Sequence, residues 1–170
     1  MGKKIKKTEK PEDKKKKKVY TPDQTLNYFN IHYGSSVCWD DERVIVDGGV
    51  KGPGLFIAKD ISRLNLPRCR ELIVRIPQTQ LRFFRPQMPM LERLSINESG
   101  LKYVNLPKAI FGGIIELNLD GNSIANADAL GPLRELHSLE KISLLGNPIT
   151  SNEEEKVKLK DLFPTISIIL

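Results

Sequence analysis

From residue 69 onward one hydrophobic phrase repeats: apolar-x-x-apolar-x-apolar-x-x-Asn-x-apolar. Leu139, Ile142, Leu144, Asn147 and Ile149 fill it, as do Ile114, Leu117, Leu119, Asn122 and Ile124. Leu91, Leu94, Ile96 and Leu101 fill it with Ser99 in the asparagine slot. Cys69, Leu72 and Val74 fill its first half, with Pro77 and Thr79 in the later slots; Phe163, Ile166 and Ile168 fill the first half once more. The phrase starts at residues 69, 91, 114, 139 and 163, with spacings of 22, 23, 25 and 24 residues. Such a period marks a solenoid, in which each unit buries its apolar face only against its neighbours.

The segments between and around the phrases predict the remaining elements. Leu130, Leu133, Leu136 and Leu139 recur every three residues, the spacing of a 3₁₀ or short α return against the core. Ser151 with Glu154 reads as a capping box. Glu153, Glu154 and Glu155 then suit the positive end of a helix dipole. Val157, Leu159, Leu162 and Phe163 give that helix an apolar face, Pro164 stops it, and a last strand follows over 166–168. Upstream, Val44 and Val46 read as a further strand, with Asp41 in the first apolar slot. Thr21-Pro22 reads as a helix start, Thr21 capping and Pro22 in the first turn. The expected organisation is a basic arm over 1–19, an N-terminal cap with a degenerate repeat over 20–68, repeats over 69–150, and a cap helix with the last strand over 151–170.

The repeats with Asn122 and Asn147 in the asparagine slot resemble those of leucine-rich-repeat proteins. The resemblance covers residues 69 to 170, and the C-terminal helix and strand resemble the cap of the short-repeat subfamily. That group includes the axonemal dynein leucine-rich light chain, the spliceosomal A-prime protein and a protein-phosphatase-one regulatory subunit. The resemblance implies an α/β solenoid: a curved parallel sheet with short helical or 3₁₀ returns and a C-terminal helical cap. In such a fold the Asn amides form a ladder at the bend, tolerable when buried only because backbone groups of adjacent turns satisfy them. Pro77 and Ser99, in the same slot, predict irregular turns.

The resemblance also implies a concave face built from the non-apolar strand positions, where partners bind. Its first row reads Glu71, Arg93, Glu116, Lys141; alternating signs predict a charge ladder of about 0.2–1 kcal/mol per exposed pair. The second row reads Ile73, Ser95, Asn118, Ser143, and the third Arg75, Asn97, Asp120, Leu145. Ile73 and Leu145 are expected to be exposed apolar groups. A surface so mixed suits a protein or peptide and lacks the single-sign stripe a nucleic-acid backbone requires. On a convex return, Phe84 has core spacing, while Arg82, Phe83 and Arg85 form a candidate anchor patch. Trp39 reads as part of the N-terminal core.

Charge divides the 170 residues sharply. The net charge is +6. Residues 1–19 hold ten lysines against three acidic residues, a net +7; the rest holds 17 basic and 18 acidic residues, a net −1. A stretch this charged and this poor in apolar side chains is expected to be disordered when free. Lys14, Lys15, Lys16, Lys17 and Lys18 suit diffuse attraction to RNA, acidic protein tails or an import receptor, whereas planar bidentate recognition prefers Arg. No interleaved aromatics provide base stacking.

Other chemistries lack their residues. No window approaches the ~20 apolar residues of a membrane span, and no apolar leader follows the basic start, so a reducing compartment is expected. His32, His137, Cys38 and Cys69 have no zinc spacing. Gly48 to Gly54 lacks the lysine and glycine placement of a phosphate loop. No nucleophile–base set or paired carboxylates stand out, so no catalytic residue, cofactor or metal is expected. The expected activity is non-catalytic binding of a protein on the concave face. By resemblance the setting is the cytoplasm, in a cytoskeletal or ciliary axonemal scaffold with tubulin as one partner of the arm. The alternative is a nuclear ribonucleoprotein component whose arm contacts RNA or directs import.

Overall fold

The computed structural model describes residues 21–33, 36–47, 60–75, 81 and 84–170. The Lys-rich arm, Gly48 to Gly54, Pro77, Thr79, Arg82 and Phe83 lie outside the described residues. Six parallel strands form one sheet in chain order: β1 (Arg43–Asp47), β2 (Glu71–Arg75), β3 (Arg93–Ile96), β4 (Glu116–Asn118), β5 (Lys141–Ser143) and β6 (Ser167–Ile169). Consecutive strands are neighbours throughout, each joined to the next by a return segment, the topology of the solenoid that the repeat period implies. Val44, Leu72, Leu94, Leu117 and Ile142 stand in register on the inner face, and all five are buried. Val44 and Val46 thus belong to a full rung, β1, at the N-terminal edge.

The returns build the opposite wall of the core. Helix α1 (Pro22–Tyr33) buries Leu26 and Phe29. Its start is a reciprocal cap: the Gln24 N–H donates to Thr21 Oγ1 at 3.3 Å and the Thr21 N–H to Gln24 Oε1 at 3.1 Å. The half-buried Trp39 packs on this core and donates from Nε1 to Asp23. Phe84 and Phe111, the latter at the end of helix α2 (Lys108–Phe111), stack with centroids 5.8 Å apart. A 3₁₀ helix over Ala127–Glu135 buries Leu130 and Leu133, as the three-residue leucine spacing predicts.

At the C-terminal end, helix α3 (Glu153–Leu162) closes the core with Leu159 and Phe163. Two expectations fail there. The cap is Asn152, whose Oδ1 accepts from the Glu154 and Glu155 N–H groups. Ser151 is instead the last residue of a 3₁₀ turn, Pro148–Ser151. Val157 is 60% exposed, because the helix is oriented by Leu159 and by Glu155, which accepts from the Ala127 N–H at 2.8 Å.

Asn122 and Asn147 are buried at the bend. Asn122 Oδ1 accepts from the Ser99 and Leu101 N–H groups, and its Nδ2 donates to the Ile96 and Leu119 carbonyls. Asn147 Oδ1 accepts from Ile124, and its Nδ2 donates to Leu119 and Leu144. The residues just before this slot adopt positive φ: Glu98 at 52°, Gly121 at 68° and Gly146 at 70°. Glycine fits that conformation without a Cβ penalty; the repeat with Ser99 has glutamate there, followed by Gly100 at 67°.

Candidate functional site: the concave face

Strand register places the outward side chains in rows. Arg43, Glu71, Arg93, Glu116, Lys141 and Ser167 are successive neighbours, and so are Ile45, Ile73, Ser95, Asn118, Ser143 and Ile169. The third row, Arg75, Asn97, Asp120 and Leu145, follows where the strands run into the bend. Seven of the twelve residues read from the sequence (Glu71, Arg93, Ser95, Glu116, Asn118, Lys141, Ser143) line one groove of about 260 Å³, together with Ile169. Ile73, Arg75, Asn97, Asp120 and Leu145 lie outside that lining.

The first row is a charge ladder that Arg43 extends by one rung. Glu71 lies 3.1 Å from Arg43 and 3.8 Å from Arg93; Glu116 lies 3.5 Å from Lys141. Glu71 is partly buried, but every partner across from it and both members of the Glu116 pair are well solvated, so each pair contributes only about 0–1 kcal/mol. Over residues 71–145 the three rows hold three cationic and three anionic side chains and no net charge.

The second row departs from its sequence reading. Ile73 is buried, not exposed; it stands in register between Ile45 and Ser95 on the inside of a curved sheet, where neighbouring side chains converge. Ile45, at the edge strand, is exposed instead. Ser143 is nearly buried too, because its hydroxyl donates to Asp120 Oδ1 at 2.6 Å. Asn118 is not purely a surface group: its Oδ1 accepts from the Asp120 N–H at 2.9 Å.

The third row contains what sequence reading missed. Asp120 is half-buried, and its Oδ1 accepts a second bond, from the Leu145 N–H at 2.8 Å. Both donors lie more than twenty residues away, so no local pattern reveals the link. Leu145 is 46% exposed, as expected. Asn97 Oδ1 is buried without a hydrogen-bond donor.

The face offers hydrogen-bonding groups, alternating charge and two apolar ends, but no histidine or cysteine. Cys69 sits in the core, where burial pushes its thiol up to about 11. Phe84 is buried and Arg85 exposed on the return, and His137 is exposed. Among the described residues no group of three or more His, Cys, Asp or Glu side chains could hold a metal ion, and no helix is long and apolar enough to cross a membrane.

No family model matches the chain. Its relatives include the acidic leucine-rich nuclear phosphoprotein 32 family member A of Drosophila pseudoobscura pseudoobscura, 28% identical over 133 residues, 66% of this chain and 48% of the relative. The Drosophila melanogaster protein of the same name is 27% identical over 130 residues, 64% of this chain and 48% of that one. The chain therefore spans about half the length of the curated relatives it matches. Among solved structures, a chain of the Drosophila melanogaster SNF/U2A′ complex shares the fold with a TM-score of 0.50 and 17% identity, over 86% of this chain and 80% of that one.

Proposed function

We propose that this chain, a leucine-rich-repeat protein of the short-repeat type, is a non-catalytic nuclear interaction module that holds a segment of a protein partner on its concave face. The observation that carries this reading is the groove itself. Its floor is small and polar (Ser95, Asn118, Ser143), its wall alternates in charge, and the three rows over residues 71–145 sum to zero. A neutral, hydrogen-bonding surface with apolar ends at Ile45, Leu145 and Ile169 matches a protein segment. A phosphate backbone gains little from it, because backbone affinity rests on unpaired positive charge.

The nuclear setting is favoured by the relatives, whose name carries that word; nothing comparable favours the cytoskeletal, ciliary or tubulin-binding setting. The ten lysines of residues 1–19 add a second contact, to RNA or to an import receptor. Two tethered weak contacts together give useful avidity.

A photo-crosslinking amino acid at position 95 or 118, compared with one at the exposed return position 134, tests the docking face in nuclear extract. Protein crosslinks from 95 and 118 that position 134 does not give support it; crosslinks from 134 alone overturn it. RNA contact through the arm predicts an affinity that falls steeply with salt and loses that slope when residues 1–19 are deleted.

A further inference from the structure

The concave carboxylates differ in what neutralises them. Glu71 sits between Arg43 and Arg93, and Glu116 faces Lys141. Asp120 faces no cation among the described residues. Its Oδ1 is held by the Ser143 hydroxyl and the Leu145 N–H, and its own N–H is held by Asn118 Oδ1. The two bonds at Oδ1 fix the carboxylate's orientation, the backbone bond fixes the turn that carries it, and Oδ2 has no donor among the described residues. On the neighbouring strand, the register that pairs Ser95 with Asn118 carries Asn97 beside Asp120. Asn97 Oδ1 is likewise without a donor, although it is buried. A buried oxygen that has lost its bond to water and gained none is uncommon in folded proteins. Two residues that each carry an acceptor without a donor thus follow one another in register, one of them with a full negative charge, and exposed Leu145 adjoins Asp120.

We infer that Asp120, Asn97 and Leu145 form a seat for one basic side chain, arginine or lysine, of the protein segment bound on the concave face. The proposal rests on the concave-face reading above and names the chemistry of the partner at one point of it. The aliphatic stem of the basic residue lies on Leu145, as long cationic side chains do on apolar surface. Its head donates to Asp120 Oδ2, and to Asn97 Oδ1 once a turn of the Asn97 side chain brings that buried oxygen to the surface. A guanidinium supplies several donors in a fixed fork and meets both oxygens at once; an ammonium is a compact point charge that serves Asp120 first. A charged donor meeting an oriented carboxylate makes the stronger class of hydrogen bond. Asp120 and Leu145 are positioned by bonds with Asn118, Ser143 and each other, so little ordering of these two is required when the partner arrives.

The test is a selection of random twelve-residue peptides on the full chain, with the selected peptides then measured against three variants. Asp120→Asn keeps an oxygen for Ser143 and Leu145 and removes the charge. Leu145→Ala removes the platform and keeps the N–H. Arg93→Glu alters the groove away from the seat. Circular dichroism and a thermal melt confirm that each variant is folded. The expected result is peptides with one fixed Arg or Lys, bound roughly tenfold more weakly by Asp120→Asn and severalfold more weakly by Leu145→Ala. Peptides without a basic preference, or a preference that survives Asp120→Asn, overturn the seat. If such peptides still lose affinity with Arg93→Glu, the concave reading stands without the seat; if they respond to none of the variants, both fall. A basic preference that appears only after residues 1–19 are deleted assigns the seat to the chain's own lysines and overturns the assignment to a partner.

Discussion

Replacing Asn122 with alanine removes one buried amide and its hydrogen bonds to backbone groups of its own repeat and the one before, four of them at 3.1 Å or less and a fifth, to the Asp120 carbonyl, at 3.4 Å. Its Oδ1 accepts from Ser99 at 3.0 Å and Leu101 at 3.1 Å, and its Nδ2 donates to Ile96 and Leu119, both at 2.7 Å. At a net ~1 kcal/mol for each of the four shorter bonds, the loss is about 4 kcal/mol. Asn147 makes three such bonds, at 2.9–3.1 Å, so its alanine variant loses about 3 kcal/mol. Asn122→Asp keeps Oδ1 but sets a carboxylate oxygen against two carbonyls at 2.7 Å, and costs at least as much as alanine. Urea unfolding followed by far-ultraviolet circular dichroism gives the three differences from the shift in midpoint. Trp39, the single tryptophan, provides a second probe at the N-terminal end, and coincident transitions show whether the solenoid unfolds as one unit. If Asn147→Ala costs more than Asn122→Ala, or if Asn122→Ala costs under about 1 kcal/mol, counting amide bonds does not explain the ladder.

Three further outcomes follow from local geometry. Gly121→Ala is expected to destabilise by about 1–2 kcal/mol, because φ is 68° and the new Cβ meets Glu98 Cγ at 2.9 Å; a neutral effect in urea unfolding refutes the strain. Lys158 and the Ala127 N–H both bond Glu155 and hold its carboxyl below the ordinary 4.5. Its contribution is therefore fully present above the unfolded value and lost as pH falls through the lowered folded one. Glu155→Gln should cost stability at pH 7, with a deficit that shrinks in strong acid; a deficit independent of pH contradicts the linkage. Of the two thiols, Cys38 is exposed and Cys69 is buried, with a pKa pushed to about 11. A thiol reagent at pH 8 should modify one cysteine in the native chain and two in urea.

The strands were legible because a two-residue side-chain period over an apolar core leaves little freedom: Leu94 and Ile96 must point inward, so Arg93 and Ser95 point out. Other features were illegible for identifiable reasons. Each strand is preceded by a tight turn whose first carbonyl accepts from the residue three positions on, as in Leu66 to Cys69, Met88 to Leu91 and Leu136 to Leu139. These bonds are entirely between backbone groups, and no residue type marks them. One carbonyl per repeat then accepts two N–H groups of the next; Arg70, for example, receives Glu92 and Arg93. The cap of α3 fell one residue later than expected because Ser151 and Asn152 are both competent caps, and the Pro148–Ser151 turn uses up the first. Ile73 was misplaced because the alternation gives the face and not the curvature of that face. Asp120 read as one polar residue among several, since its bonds to Ser143 and Leu145 span 23 and 25 residues.

The contrast between the face and the arm has a kinetic consequence. Asn122, inside the bend, fixes the Leu119 carbonyl, while Asp120, next to Leu119 and two residues before Asn122, fixes Ser143 and Leu145 outside it. The groove is therefore held by the same turns that hold the fold, and a partner segment docks on a surface already ordered. The face carries no net charge and has no long-range pull, whereas residues 1–19 carry +7. Charge outside the contact mainly accelerates encounter, and well-fitted contacts mainly slow dissociation. Once a partner with an acidic surface is captured, deleting residues 1–19 should lower the association rate and flatten its dependence on salt while leaving dissociation nearly unchanged. Asp120→Asn or Leu145→Ala should do the reverse. Surface plasmon resonance at two salt concentrations separates the two effects. If deletion of residues 1–19 changes only the dissociation rate, they are part of the docked interface, and steering by the arm is excluded.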